Sequence, residues 1–257
     1  MGKSMHLAVA IAAIGLSSQA MAAAFVNGGF EDGTLNGWTG GGGVWYGTPA
    51  APVPPGNYAG GTPNNTVMNG GTDAKTGANI VYGGKHSVRV NDAAPDSSVS
   101  TLSQSVKGYG DDKIFFAWNV VLEGSHGADD SDYFSLTLTD DTTGATLVSR
   151  AYSSAGAIGG GTSGVTWQAA VNDPGWMTSG WVIEDIDLAA LGAVGHDFTL
   201  TLLASDCPYG GHAGYVYLDG FGAVNPPPGG TVPVPATLAL LGLGLAGIAA
   251  VRRGKTA

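Results

Sequence analysis

The chain has 257 residues, with 20 Asp and Glu against 10 Lys and Arg, and a formal net charge of −10 at pH 7. All 20 acids lie between residues 25 and 225 and face only Lys75, Lys85, Arg89, Lys107, Lys113 and Arg150, so that segment carries 6 minus 20, or −14, and has no basic face for a nucleic-acid partner. A single cysteine, Cys207, excludes an intramolecular disulfide, and 44 glycines without a triplet repeat exclude collagen.

In chain order, residues 1–23 read as a secretory signal peptide. Lys3 makes a short basic region, Leu7 to Leu16 an apolar one, and Ala20, Ala22 and Ala24 supply small residues for cleavage. An exported domain without disulfides must rest on its core, on metal, or on both. Residues 24–225 are the size of one β-sandwich. Within them, residues 40–78 are so rich in Gly, Pro and Asn that the segment reads as one long irregular loop, a candidate binding loop.

Beyond that loop, apolar residues alternate with polar ones, and turn residues separate the runs. The candidate strands are "HSVRVN", "STLSQSV", "KIFFAWNVVLE", "DYFSLTLTD", "ATLVSRAY", "GWVIEDIDL", "HDFTLTLLAS" and "GYVYLDGF", and "TDDTTGATL" reads as a hairpin. That many short strands predict an all-β, two-sheet sandwich of jelly-roll type. The acidic string "GSHGADDSDYF" places Asp129, Asp130 and Asp132 in a turn; without the spacing and closing Glu of an EF-hand, it reads as a solvated turn.

The start of the exported segment, "FVNGGFEDGTLNGWTG", resembles the first strand of galactose-binding-like jelly rolls, a group that includes many carbohydrate-binding modules. Asn27, Gly29, Phe30, Glu31, Gly37 and Trp38 carry the likeness, with Tyr215, Tyr217 and Asp219 matching the last strand. The resemblance implies a structural calcium held by Glu31 and Asp219 with backbone carbonyls, a sensible donor set for a hard cation. The other reading is that both carboxylates bond turn amides or a nearby lysine. A carbohydrate or exopolysaccharide ligand is implied as well, and for stacking on sugar rings Trp45, Tyr46 and Trp176 are the first candidates, core packing being the competing use.

The string "SDCPYGGHAGYVYLDGFG" resembles a segment near the end of several bacterial surface-protein β-sandwiches. Its Cys207 and His212 are spaced to share a metal or to pair as nucleophile and base, or else they belong to a tight turn before the last strand. No G-x-S-x-G, H-E-x-x-H or P-loop is present, so the reading is non-enzymatic, with a hydrolase built on an unrecognised acid pair as the remote alternative.

After a Pro-rich linker (226–235), the run from Ala236 to Val251 spans 16 residues, about 24 Å as a helix, short of a hydrocarbon layer of about 30 Å. Arg252 and Arg253 follow it and set its C-terminus toward the cytoplasm. A Pro-x-Pro step, an apolar helix and a basic end resemble the PEP-CTERM sorting signal of Gram-negative bacteria, here over residues 233–257. Pro233 and Pro235 match that pattern, while Val234 stands where glutamate is usual. The resemblance implies an exosortase partner, temporary insertion in the inner membrane, and delivery to the cell envelope, outer surface or extracellular matrix; a plain C-terminal anchor is the alternative.

Overall fold

The computed structural model describes residues 24–46, 52, 54–124, 127, 131–158 and 164–222. The signal peptide, the apolar C-terminal segment, and the sorting residues Pro233, Val234, Pro235, Arg252 and Arg253 lie outside the described residues. The strands are β1 (Thr39–Val44), β2 (Thr66–Asn69), β3 (His86–Val90), β4 (Ser98–Val106), β5 (Lys113–Glu123), β6 (Tyr133–Asp140), β7 (Ala145–Ser153), β8 (Gln168–Ala169), β9 (Trp176–Thr178), β10 (Val182–Asp187), β11 (Phe198–Ser205) and β12 (Gly214–Gly222). Two short helices, α1 (Ser154–Ile158) and α2 (Leu188–Leu191), and a 3₁₀ turn at Pro55–Tyr58 complete the described elements.

Two antiparallel sheets face each other. One has the order β1-β4-β11-β6-β7; the other has the order β2-β3-β12-β5-β9-β8, with β10 also paired to β5. β3 to β4, β4 to β5, β5 to β6, β10 to β11 and β11 to β12 all cross between sheets, the connectivity of a jelly roll. The expected all-β sandwich is therefore the fold.

The alternation seen in the sequence decides which side chains meet between the sheets. In β6, Phe134, Leu136 and Leu138 are fully buried, and in β11 so are Phe198, Leu200 and Leu202; both sets enter one core with Trp118, Val120 and Leu122 of β5. Each such side chain contributes roughly 1.5–3 kcal/mol through burial, so these strands are held by their inward faces. At one edge Arg150 of β7 spans to β10, bonding Glu184 through Nε at 2.9 Å and through a terminal nitrogen at 2.8 Å. Trp118 Nε1 donates to the same carboxylate at 3.1 Å, which leaves Glu184 buried but satisfied.

Two sequence expectations change. The stretch around Asn27 to Gly37 is not the first strand but a series of turns, with Asn27 and Phe30 at positive φ. Gly28 passes so close to β12 that a Cβ there would strike the Phe221 carbonyl, while the Phe221 amide donates to the Gly28 carbonyl at 3.0 Å. The expected long loop at 40–78 also contains regular structure, β1, the 3₁₀ turn and β2. Its glycines are there because the segment after β1 folds back over both faces of that strand. A Cβ on Gly41 would lie 2.5 Å from the Tyr58 carbonyl oxygen, and one on Gly42 would overlap the Thr62 carbonyl from the other side.

Candidate functional site

The outer face of the seven-stranded sheet is covered. Residues 70–82 form a strap across it, closed on itself by the Thr72 and Asn79 bridge and by the Asp73 amide donating to the Ala78 carbonyl at 2.8 Å. The strap is pinned to the sheet at several points. Tyr215 and Tyr217 hydroxyls donate to Asp73 Oδ2, the Ser87 hydroxyl donates to the Ile80 carbonyl, and Trp181 Nε1 donates to the Asn79 carbonyl. Burial acts to raise the Asp73 pKa, but the Thr76 amide and the two phenols outweigh it and hold this carboxyl below its ordinary value.

Glu31 and Asp219 meet where the strap returns to the sheet. Asp219 Oδ2 accepts the amides of Tyr82 and Gly83 at 2.9 and 3.0 Å, and Glu31 Oε1 accepts those of Lys85 and His86 at 2.9 and 3.1 Å. A Cβ at Gly29 would lie 3.7 Å from Asp219 Oδ1 and 3.6 Å from Glu31 Cγ, so the two side chains are near neighbours, as the sequence implied. Burial pushes Asp219 up to about 7, the neighbouring Glu31 charge adding to it and the strap amides opposing it. The pair fits a calcium ion in part. Mutual repulsion is what a cation would relieve, but turn amides already occupy oxygens on both carboxylates, and among the described residues no group of three or more His, Cys, Asp or Glu is placed to hold a metal.

The proposed sugar platforms are separated by the fold. Trp45 is 5% exposed, packs with Tyr58, Val99 and Leu203, and donates from Nε1 to the Asp206 carbonyl at 2.8 Å. Trp176 is 2% exposed, with its ring against Tyr215 and beneath Lys75. Neither ring face is open to a sugar, because both belong to satellite cores on the outer sides of the sheets. Tyr46, at 71% exposure, is the one candidate ring that faces solvent.

Other expected chemistry is accounted for by the turns. Cys207 is buried, its thiol donating to the Gly210 carbonyl at 2.9 Å with His212 Nδ1 at 3.6 Å. Asp132 is buried rather than solvated; it accepts the Glu123 amide at 2.9 Å, and burial drives its carboxyl well above the ordinary range. Asp129 and Asp130 lie outside the described residues. Asp206 is buried beside Asn91 and Ser98, accepting from both, and burial pushes it up to about 7.

The outer face of the five-stranded sheet is different: one end is covered, where Trp45 and Tyr58 pack on Val99 and Leu203, but beyond it, among the described residues, two open rows are hydroxyls. Thr39, Ser103, Thr201, Thr137 and Ser149 stand in register across all five strands. Beside that row, Ser105, Thr199 and Thr139 form a second, with Ser105 and Thr199 hydroxyls 2.7 Å apart. The residues that carry these hydroxyls repeat about every 4.8 Å from strand to strand and about every 7 Å along a strand. The residues Pro55, Gly56 and Ala59 rise as a wall at one end, leaving a cleft of about 160 Å³ floored by Thr101, Ser103 and Thr201. The alternating threonines of "FSLTLTD" and "FTLTLLAS" were legible as an outward face; that this face is the bare one was not.

Comparison with known proteins bears on the tail first. Residues 231–253 match the PEP-CTERM protein-sorting motif. The motif indicates an exported, envelope-associated protein that an exosortase processes. A search of curated proteins finds no match. Among solved structures, TmCBM61 in complex with beta-1,4-galactotriose is similar at 13% identity and TM-score 0.39, over 77% of this chain and 96% of that one. CBM27-1 of Caldicellulosiruptor saccharolyticus in complex with mannohexaose is similar at 11% identity and TM-score 0.38, over 76% of this chain and 94% of that one. A cleaved adhesin domain of Lys-gingipain from Porphyromonas gingivalis is similar at 10% identity and TM-score 0.35, over 76% and 94%.

Proposed function

We propose that this is an exported protein of the cell envelope or extracellular matrix that binds carbohydrate, an exopolysaccharide strand in particular, without catalysis. The observation that carries the reading is the pair of open hydroxyl rows on the five-stranded sheet, with the Asp141 carboxylate at their margin, on a chain that carries an envelope-sorting motif. Each hydroxyl contributes a hydrogen bond worth about 0.5–1.5 kcal/mol net, too little to hold a monosaccharide. A polymer laid across several rows adds such contacts with little further entropy loss, so the face suits a chain. The cleft agrees with this, since its volume falls below the roughly 300–1,000 Å³ of a site that encloses a small molecule.

The direct test is affinity electrophoresis of the full chain in neutral and acidic polysaccharides. Thr137→Glu and Ser103→Glu, which put charge on the open face and leave the core untouched, are expected to weaken binding to the preferred polymer about ten-fold or more. Equal retention of both variants and the parent rejects the face as the binding surface. A second reading, a matrix protein acting by self-association with no small ligand, is favoured by the small size of the cleft; concentration-dependent assembly without any retention would support it.

Catalysis finds no support in the acids that lie close together. Glu31 with Asp219, Glu123 with Asp132, and Asp96 with Asp206 have oxygens committed to backbone amides. Calcium at Glu31 and Asp219 is part of the proposal as a structural ion. A chelator-induced fall in melting temperature that Asp219→Asn removes would support it, and superimposable curves with and without chelator reject it. Delivery by an exosortase, in a Gram-negative envelope, completes the reading, and Val234→Glu is expected to raise the processed fraction in pulse-chase labelling.

A further inference from the structure

Within the small core beneath the strap, the polar side chains nearest Asp73 are hydrogen-bond donors. Tyr215 and Tyr217 hydroxyls converge on Asp73 Oδ2 at 2.8 and 2.7 Å. Arg89 and Asn119 are the register partners of Tyr217 on its two sides, in β3 and β5. Arg89 Nε and Asn119 Nδ2 are both buried without an acceptor, and Asn119 is 0% exposed, its Oδ1 taken by the Thr178 hydroxyl at 2.7 Å. Arg89 also lies over the Tyr215 ring at 5.7 Å. The row of Tyr217 therefore presents a phenol, a guanidinium and an amide, the adjacent row adds the Tyr215 phenol, and one carboxylate oxygen serves only the phenols.

That carboxylate belongs to the strap rather than to the sheet. Asp73 Oδ1 accepts the Lys75 amide, the Thr76 amide and the Thr76 hydroxyl, so the strap's own turn is wound around it. The strap's outer tie is the pair of Lys75 Nζ with Asp173 at 2.9 Å, with side chains 32% and 40% exposed, the kind of contact that solvent and salt weaken. Donors in surplus under a self-supplied acceptor are the arrangement of an occupied anion site.

We propose that this row is a carboxylate-binding site closed by its own strap, and that the carboxyl groups of a uronic-acid polymer take the place of Asp73 when residues 70–82 lift. The inference goes beyond the reading of the five-stranded face and does not depend on it. Arg89 supplies the charge, and the phenols and the Asn119 amide supply the direction. The acidic domain as a whole repels a polyanion, so moderate salt favours this exchange where it would weaken binding to a basic protein.

The experiment is isothermal titration of the full chain with polygalacturonate, with a neutral galactomannan as the control polymer. Asp73→Ala removes the internal competitor and is expected to tighten polygalacturonate binding about ten-fold, the equivalent of 1.4 kcal/mol. Adding Arg89→Ala to that variant is expected to abolish the gain. A folded Asp73→Ala protein with unchanged affinity overturns the proposal, as does a gain that survives Arg89→Ala or is equal for galactomannan. If Asp73→Ala does not fold, Lys75→Ala decides: it removes the strap's salt bridge to Asp173 and leaves the row intact, a gain of a few-fold supports the site, and no gain overturns it.

Discussion

The two outer faces of the sandwich obey one alternation rule and end in opposite conditions. On β6 the outward residues Ser135, Thr137 and Thr139 remain half-buried and polar, while on β5 the outward residues Ala117, Asn119 and Val121 are as buried as the inward ones. The strap makes the difference. It turns one sheet face into a second, smaller core around Val121, Trp176, Tyr215 and Tyr217, whereas on the other face Trp45 and Tyr58 cover one end and, among the described residues, the hydroxyl rows stay open. Binding is accordingly expected first on the bare face, and on the covered face only through displacement of what covers it.

The sharpest way to break this contrast is to place the same side chain on both faces. Val121→Lys buries an unpaired ammonium under the strap and is expected to destabilise the domain by about 4 kcal/mol or to prevent folding, as read by chemical denaturation. The edge that joins the sheets should be next in size. Arg150→Met leaves Glu184 buried and unpaired and is expected to cost about 3 kcal/mol, and Arg150→Met with Glu184→Met to recover most of it.

A pH titration reads a third layer, near Asp206. Its carboxyl has a folded pKa of about 7 against an ordinary 3.8, so between those values the folded state holds a proton that the unfolded state has lost. Stability therefore falls as pH rises through that window and levels off above it. The melting temperature is expected to drop by several degrees from pH 5 to pH 8, and Asp206→Asn to reduce the drop, with Asp219 and Asp132, whose carboxyls burial also raises, supplying the remainder. The smallest effect belongs to the bare face. Thr137→Lys is expected to change stability by less than about 0.5 kcal/mol, and a larger loss would mean that the hydroxyl rows are covered after all.

Much of the framework was legible because strand periodicity and turn chemistry are local. "KIFFAWNVVLE" is β5 from end to end, and the strands read from "ATLVSRAY" to "GYVYLDGF" lie within a residue or two of β7, β10, β11 and β12. β1 and β2 escaped notice because their glycines, prolines and polar residues lower strand propensity; contact with the folded-back segment, absent from any local signal, selects them. Trp45 and Trp176 were read as exposed platforms for the same reason. An aromatic beside a loop looks the same in sequence whether that loop projects or folds over it.

The sequence by itself determined the all-β sandwich, the acidic charge and the sorting tail at 231–253, since each depends on short patterns or on residue counts. Tertiary structure alone decided what those residues do. Glu31 and Asp219 clamp the returning strap, Asp73 takes two phenols of a strand more than a hundred residues away, and the hydroxyl rows stay open among the described residues. The physical reason is that hydrogen-bond satisfaction and exposure depend on which distant segment arrives, and no local pattern encodes the arrival.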